Sequence, residues 1–282
     1  MSASVFEQQI AFLKNNFRIV SPAEVMDRRR AHEKIRVMLT FDDGFRNHAE
    51  VVVPILTKYR VPAVFFISSR HSAPGKYLWF TYLQALEHHF PDEKLYFRKA
   101  LLDMSVGRRQ HTIQQLKNYL LALEPHPAAM YQAIDSELPS LEEFVNSELL
   151  ADRYAGMKPE QVNALARNTS FSIGVHTSDH PFLGKCKREE IRWQIIENKR
   201  WLEEVSGRRC ESIAYPSGDY NAEVLGECLN LGLSYGYALN PRLGIDPRHE
   251  IPRVGIYSEL LDILGFKVQW GNLMRRLGLN FG

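Results

Sequence analysis

The sequence has few cysteines, no long apolar run and almost no net charge. Its 282 residues include three cysteines, an odd number that argues against a framework of disulfides. The longest apolar runs, at 51–56 and 63–67, are far shorter than the roughly 20 residues that cross a bilayer. The 35 basic and 33 acidic residues nearly cancel, which gives no support for nucleic-acid binding. Because the first residues show no basic stretch followed by an apolar one, we expect no secretory signal and a cytoplasmic location.

The composition is that of a globular protein rather than a disordered or fibrous one, with 45% hydrophobic and 24% charged residues. Short apolar stretches alternate with helical patterns, and such alternation is typical of a parallel α/β sheet or barrel. The predicted strands lie at 35–41, 63–67, 171–175, 212–215, 234–239 and 253–257.

The stretch at about 70–168 differs from the rest of the chain, because it shows helical patterns and no pattern of strands. Helices are predicted at 78–89, 93–104, 108–123 and 141–152. We therefore predict a single domain over residues 1–282 in which a helical insertion separates two strands of the sheet.

Two polar clusters directly follow predicted strands. Asp42 and Asp43 precede Gly44, while His176 and His180 are four residues apart after the strand at 171–175. Ligands of parallel α/β folds bind at the carboxyl ends of the strands, so both clusters can reach one site. The simpler interpretation of the two aspartates is a turn with one capping aspartate. The simpler interpretation of a lone histidine is a structural role. Two histidines and a carboxylate at one edge predict a three-ligand site for a divalent cation.

Three motifs resemble those of the polysaccharide deacetylases, the NodB-homology family also called carbohydrate esterase family 4. The sequence LTFDDG at 39–44 resembles the first motif, and HTSDHP at 176–181 resembles the second. The sequence AYPSG at 214–218 resembles the third. Their order and their placement after strands suit members with a helical insertion.

The resemblance implies a fold, a metal centre and residue roles. The fold is a distorted (β/α) barrel of about seven parallel strands, fewer than a complete barrel has. Asp43, His176 and His180 would hold a divalent metal, expected to be Zn²⁺ with Co²⁺, Ni²⁺ or Mn²⁺ as alternatives, and Asp42 would be the general base. The segment implied to contact the substrate and its oxyanion comprises Tyr215, Pro216 and Ser217.

The sequence departs from the family pattern at two positions. Ala214 stands where many members have an arginine that pairs with the catalytic aspartate. Arg253 is the candidate replacement from another strand, with a surface ion pair as the alternative. The late histidine motif, which supplies a general acid, is also unclear. His249 is the sole histidine after His180 and the candidate for that role, with a plain loop position as the alternative.

The motifs together predict a metal-dependent hydrolase that removes an N-acetyl or similar acyl group from an amino sugar or a saccharide precursor. A carbohydrate-binding pseudoenzyme that retains the metal site is the first alternative, motivated by the two departures. A non-haem iron oxygenase with two histidines and one carboxylate is the second. The expected partner is an acylated amino sugar or saccharide. We expect no binding of nucleic acid and no transmembrane segment in the chain.

Overall fold

The structure is a computed structural model that describes residues 1–26, 34–73, 76–123, 126–239, 241 and 243–277, with the backbone alone at 272–277. The strands are β1 (Arg18–Ile19), β2 (Arg36–Val37), β3 (Leu39–Phe41), β4 (Ala63–Ile67), β5 (Lys94–Phe97), β6 (Ala100–Asp103), β7 (Phe171–Val175), β8 (Ser212–Ala214), β9 (Tyr235–Ala238) and β10 (Ile251–Pro252). The helices are α1 (Ala3–Asn16), α2 (Pro22–Met26), α3 (Val53–Tyr59), α4 (Trp79–His89), α5 (Arg109–Ala122), α6 (Pro127–Glu137), α7 (Ser147–Leu149), α8 (Pro159–Arg167), α9 (Arg188–Ser206), α10 (Ala222–Asn230) and α11 (Leu261–Leu277).

Six strands form one parallel sheet in the order β10-β9-β8-β7-β4-β3, so β3 and β10 are its edges. The sheet curls into a half-barrel with helices around it, which confirms the predicted distorted barrel. This sheet has six strands within the described residues, against about seven predicted. β1 and β2 form a separate parallel ribbon just before β3. Because all six strands run in parallel, their carboxyl ends lie at the same end of the half-barrel.

The two faces of the sheet bury different side chains. Phe65 and Ile67 of β4 join a large apolar core between the sheet and the surrounding helices. Val64 and Phe66 of the same strand face the concave side, where Phe66 packs on Tyr237 with ring centroids 5.2 Å apart. A strand buried on both faces explains the unbroken apolar stretch in the sequence.

The insertion between β4 and β7 has an apolar core of its own, built mainly from α4, α5 and α6.

The helix predicted at 93–104 is wrong, because β5 and β6 form an antiparallel hairpin there. Leu95 and Phe97 are buried while their neighbours are exposed, which is the alternation of a strand. The turn consists of Arg98 and Lys99, both with positive φ (48° and 64°), as a two-residue hairpin turn of type I′ requires. Neither residue is a glycine or an asparagine, so the usual sequence signal of such a turn is missing.

Long helices surround the sheet on its convex side. One of them is α9, which follows the histidine loop and buries Ile191, Ile195 and Leu202. It ends at Gly207, whose φ of 66° places it in the left-handed region that closes many helices. Among the helices of the described ranges, none combines the length and the apolarity that a membrane span needs.

We predict that Gly156, where the insertion returns to the sheet, tolerates no side chain. A Cβ atom there would lie 1.9 Å from the backbone carbonyl oxygen of His71. Gly156→Ala should therefore lower the free energy of unfolding by about 2 kcal/mol, as measured by urea unfolding. Gly226→Ala in α10 is the control, because nothing lies within 4 Å of a Cβ there. It should stabilise the protein by about 0.5–1 kcal/mol. Equal stabilities of the two variants would contradict the close approach at Gly156.

Candidate metal centre

Two loops at the carboxyl ends of the strands carry the predicted site. Asp42 and Asp43 directly follow β3, and His176 directly follows β7. The backbone turns sharply at Asp43 and His180, whose φ angles are 72° and 53°. Residues other than glycine seldom adopt this left-handed region, and where they do the surrounding structure holds them there. The turns direct the side chains of both loops towards one point.

Asp43, His176 and His180 meet at that point. The Nε2 atoms of His176 and His180 lie 3.2 and 3.3 Å from Oδ1 of Asp43. The three ligand atoms all lie within 4.8 Å of one another. Oδ1 of Asp43 is buried and has no hydrogen-bond partner among the described residues. A buried carboxylate oxygen that faces two imidazole nitrogens without a hydrogen bond fits a divalent cation such as Zn²⁺.

The pKa shifts of Asp43 and His180 suit metal ligands, whereas that of His176 favours its protonated form. Burial would raise the pKa of Asp43, but the two imidazoles beside it hold that pKa well below its usual value. Burial lowers the pKa of His180 to about 4, so its ring is neutral at pH 7. Burial alone would lower the pKa of His176, but the charges of Asp42 and Asp43 raise it. Nδ1 of His176 donates to the Ala214 carbonyl oxygen at 2.8 Å, which directs Nε2 at the site.

Asp42 is paired with Arg253. Nη1 of Arg253 lies 2.7 and 2.8 Å from the two carboxylate oxygens of Asp42. Partial burial alone would raise the pKa of Asp42, but Arg253 and His176 outweigh that effect and lower it. Arg253 follows the end of β10, whereas the sequence placed it at the start of the last strand. Its guanidinium therefore lies where a replacement for the arginine missing at Ala214 has to lie, and its catalytic role stays a prediction.

His249 is not at the site, which contradicts its assignment as the general acid. Its ring is buried, with Nδ1 3.2 Å from Oδ2 of Asp246 and Nε2 3.0 Å from the carbonyl oxygen of Leu233. Leu233 precedes β9, so this ring lies at the amino end of the sheet, opposite the metal-ligand loops. Both ring nitrogens are engaged in contacts that hold the loop before β10. The position of His249 in the chain order carried no information about which end of the sheet it occupies.

The third motif is divided between the core and the site. Tyr215 is buried, stacks on Tyr220 and donates its hydroxyl to the carbonyl oxygen of His249 at 2.9 Å. The amide of Tyr215 donates to the Tyr237 carbonyl oxygen at 3.3 Å, and Pro216 has no amide hydrogen. Of the three residues predicted to contact the oxyanion, Ser217 is therefore the remaining candidate for a backbone donor.

The sequence analysis missed the polar residues that support the histidine loop. Asn198 accepts from the amide of His176 at 3.0 Å and donates to the Ile67 carbonyl oxygen at 3.0 Å. Gln194 accepts from the amide of Asp179 at 2.8 Å and donates to its carboxylate at 2.9 Å. Both side chains are completely buried in α9. Two polar residues four positions apart on the apolar face of this helix could have indicated that it supports a polar loop.

Sequence and fold comparisons agree with the motifs. A family model described as polysaccharide deacetylase matches residues 29–93 and 142–236, more than half of the chain. The unmatched stretch between them lies in the insertion, where the sequence carries none of the three motifs. The search of curated proteins finds no match to this sequence.

Several solved structures share the fold. The deacetylase PplD of Streptococcus pyogenes, in complex with acetate, is 17% identical with a TM-score of 0.58, covering 94% of this chain and 86% of its own. IcaB from Ammonifex degensii is 16% identical with a TM-score of 0.59, covering 95% and 90%. A de-N-acetylase from Aggregatibacter actinomycetemcomitans is 15% identical with a TM-score of 0.57, covering 94% and 89%. At these identities the similarity concerns the fold alone.

We predict that the protein binds about one divalent cation per chain and that this binding depends on the two histidines. His176→Ala and His180→Ala should each weaken binding severely, and the double variant should abolish it, as measured by elemental analysis after loading with Zn²⁺ or Co²⁺. His249→Ala is the matched control, because it removes a buried histidine at the other end of the sheet. It should retain the cation even where it lowers stability. Full metal occupancy in the double variant would show that the ligands are misassigned.

Proposed function

The chain belongs to the polysaccharide deacetylase family, and from this premise we propose that it is a metal-dependent hydrolase. Its substrate would be an N-acetylated, or similarly acylated, amino sugar or saccharide precursor. The observation that carries the proposal is the convergence of three potential metal ligands beside a second aspartate that an arginine holds. A cytoplasmic location stays a prediction.

Asp43, His176 and His180 are the residues that would hold the cation. Zn²⁺ is the expected ion, with Co²⁺, Ni²⁺ and Mn²⁺ as alternatives, because one carboxylate and two imidazoles accept any of them. A cation bound there supplies a Lewis acid that polarises the acyl carbonyl and makes water acidic enough for a carboxylate to deprotonate. The acetyl group is our first choice because two structures with this fold are a de-N-acetylase and a deacetylase with acetate.

Asp42 is the residue that would take the proton of the attacking water. Its carboxylate is separate from the three ligands, and 31% of its side chain is exposed, so a substrate can reach it. Arg253 keeps it ionised and fixes its orientation through contacts with both oxygens. Two consecutive carboxylates thus divide the work, one as a ligand and the other as a base.

The leaving amine needs a proton, and His249 cannot supply it because its ring lies at the opposite end of the sheet. The described residues place no histidine of a late motif at the site, so we propose that Asp42 returns the proton it has taken. The same observation favours the alternative function, a carbohydrate-binding pseudoenzyme that retains the metal. The other motive for that alternative, a missing arginine, is weaker because Arg253 lies against Asp42.

Acetate release from a panel of N-acetylated amino sugars, with their nucleotide and lipid conjugates, separates the two functions. Release from at least one substrate by the metal-loaded protein supports the hydrolase. A metal-loaded protein that binds these sugars and releases acetate from none of them would support the pseudoenzyme instead.

For Asp42, we predict that removing the basic group stops turnover and leaves the cation in place. Asp42→Asn keeps the size of the side chain, so activity should fall about 10²- to 10⁴-fold while metal content is unchanged. Asp152→Asn is the control, because its side chain is largely exposed on the insertion. Acetate release under metal saturation measures the effect. Near-normal turnover in Asp42→Asn would rule out its role as the base.

For Arg253, we predict that a positive charge at this position does not by itself suffice for full turnover. Arg253→Lys should lower kcat by about tenfold or more, since a lost orientation worth ~1.4 kcal/mol gives that factor. Metal content and thermal stability should stay close to those of the parent protein. Arg248→Lys is the matched control, because Arg248 also contacts both carboxylate oxygens of an aspartate, Asp246, but away from the site. Equal kcat values in the two variants would leave Arg253 without a catalytic role.

A further inference from the structure

Two buried side chains of the insertion donate hydrogen bonds to the histidine loop. Nε1 of Trp79, at the start of α4, donates to the carbonyl oxygen of His180 at 3.2 Å. The hydroxyl of Tyr131, in α6, donates to the carbonyl oxygen of Asp179 at 2.8 Å. The same hydroxyl accepts from the amide of Trp79 at 3.2 Å, so the two donors are linked to each other. Both side chains are only 3% exposed.

His180 has less support than the other histidine ligand. His176 is held through its ring by the Ala214 carbonyl oxygen, and through its backbone by Asn198 and Ser68. The amide of His180 donates to Oγ1 of Thr177 at 3.1 Å, within the same loop, but Nδ1 of its ring is buried and has no hydrogen-bond partner among the described residues. Its ring packs against Phe80 of α4, with centroids 4.8 Å apart. The insertion therefore contacts the ring and the carbonyl oxygen of His180, whereas its amide is held within the loop itself.

The insertion also supports the aspartate loop where it returns to the sheet. The ring of His71 lies between the carbonyl oxygens of Asp43 and Tyr154, at 3.2 and 2.9 Å. The amide of Met157 donates to the carbonyl oxygen of Gly44 at 2.8 Å. The insertion thus contacts both loops that carry the proposed ligands.

We propose that the insertion is a structural part of the metal centre, and that Trp79 and Tyr131 are positioning residues for the ligand His180. The proposal rests on the proposed metal site and extends it to residues outside the three motifs. Groups that orient a metal ligand from behind commonly change metal affinity about 10- to 100-fold when they are removed.

The hydroxyl of Tyr131 can be removed without disturbing its packing. Its ring stacks on the guanidinium of Arg70, whose central carbon lies 3.5 Å from the ring centroid, and phenylalanine retains that contact. Burial raises the pKa of Tyr131, so its hydroxyl stays protonated and can donate over the whole working range of pH. Trp79→Phe likewise keeps an aromatic ring and removes the indole donor.

The experiment compares the Zn²⁺ dissociation constants of the parent protein, Tyr131→Phe and Trp79→Phe, using a competing chelator. Each variant should bind Zn²⁺ about tenfold more weakly or worse, and the visible spectrum of the Co²⁺ form should change. Tyr82→Phe is the matched control, because this α4 tyrosine is also buried and donates to a carbonyl oxygen, that of Pro139, within the insertion. It should lose similar stability and keep the affinity of the parent protein within about twofold.

The outcomes separate this inference from the proposed function. Parent-like Zn²⁺ affinity in both Tyr131→Phe and Trp79→Phe would overturn the positioning role and leave the metal centre intact. An equal loss of affinity in Tyr82→Phe would also overturn it, because the effect would then reflect stability alone. A parent protein that binds neither Zn²⁺ nor Co²⁺ would refute the metal centre itself, and this inference with it.

Discussion

The repulsion between Asp42 and Asp43 is the constraint on which the site depends. Two carboxylates on consecutive residues at the end of a buried strand are unfavourable unless each has its own stabilising partner. The fold provides two partners of different kinds from opposite directions. Asp43 turns towards the imidazoles after β7, and Asp42 turns towards the guanidinium after β10. The positive φ of Asp43 makes this divergence possible, since an extended backbone there would aim the loop elsewhere.

The residues that support the histidine loop come from two parts of the chain. Asn198 and Gln194 reach the histidine loop from a helix of the half-barrel, while Trp79 and Tyr131 reach it from the insertion. The buried amides and carbonyls of a sharply turned loop need such partners, because water is excluded from them. The loop is therefore shaped by two separate apolar cores that meet at it.

Much of the site followed from the sequence, because strand-end motifs lie in short stretches of consecutive residues. Asp43, His176 and His180 converge as expected, since parallel strands bring their carboxyl ends to one face. Two features that depend on tertiary structure were placed wrongly. His249 was assigned by elimination, although chain order does not distinguish the two ends of a sheet. The hairpin at 94–103 was missed because its turn, Arg98 and Lys99, carries no glycine.

The contact between Arg253 and Asp42 also bears on how the site is assembled. These residues are 211 positions apart and follow the two edge strands of the sheet, so their contact closes the mouth of the half-barrel across its open side. Contacts over such sequence distances form slowly, because they must overcome the entropy of closing a long loop. During synthesis, a chain that has reached β9 already contains all three potential metal ligands but still lacks Arg253, the partner of Asp42. The three residues that would hold a cation are thus synthesised before the residue that holds the proposed base.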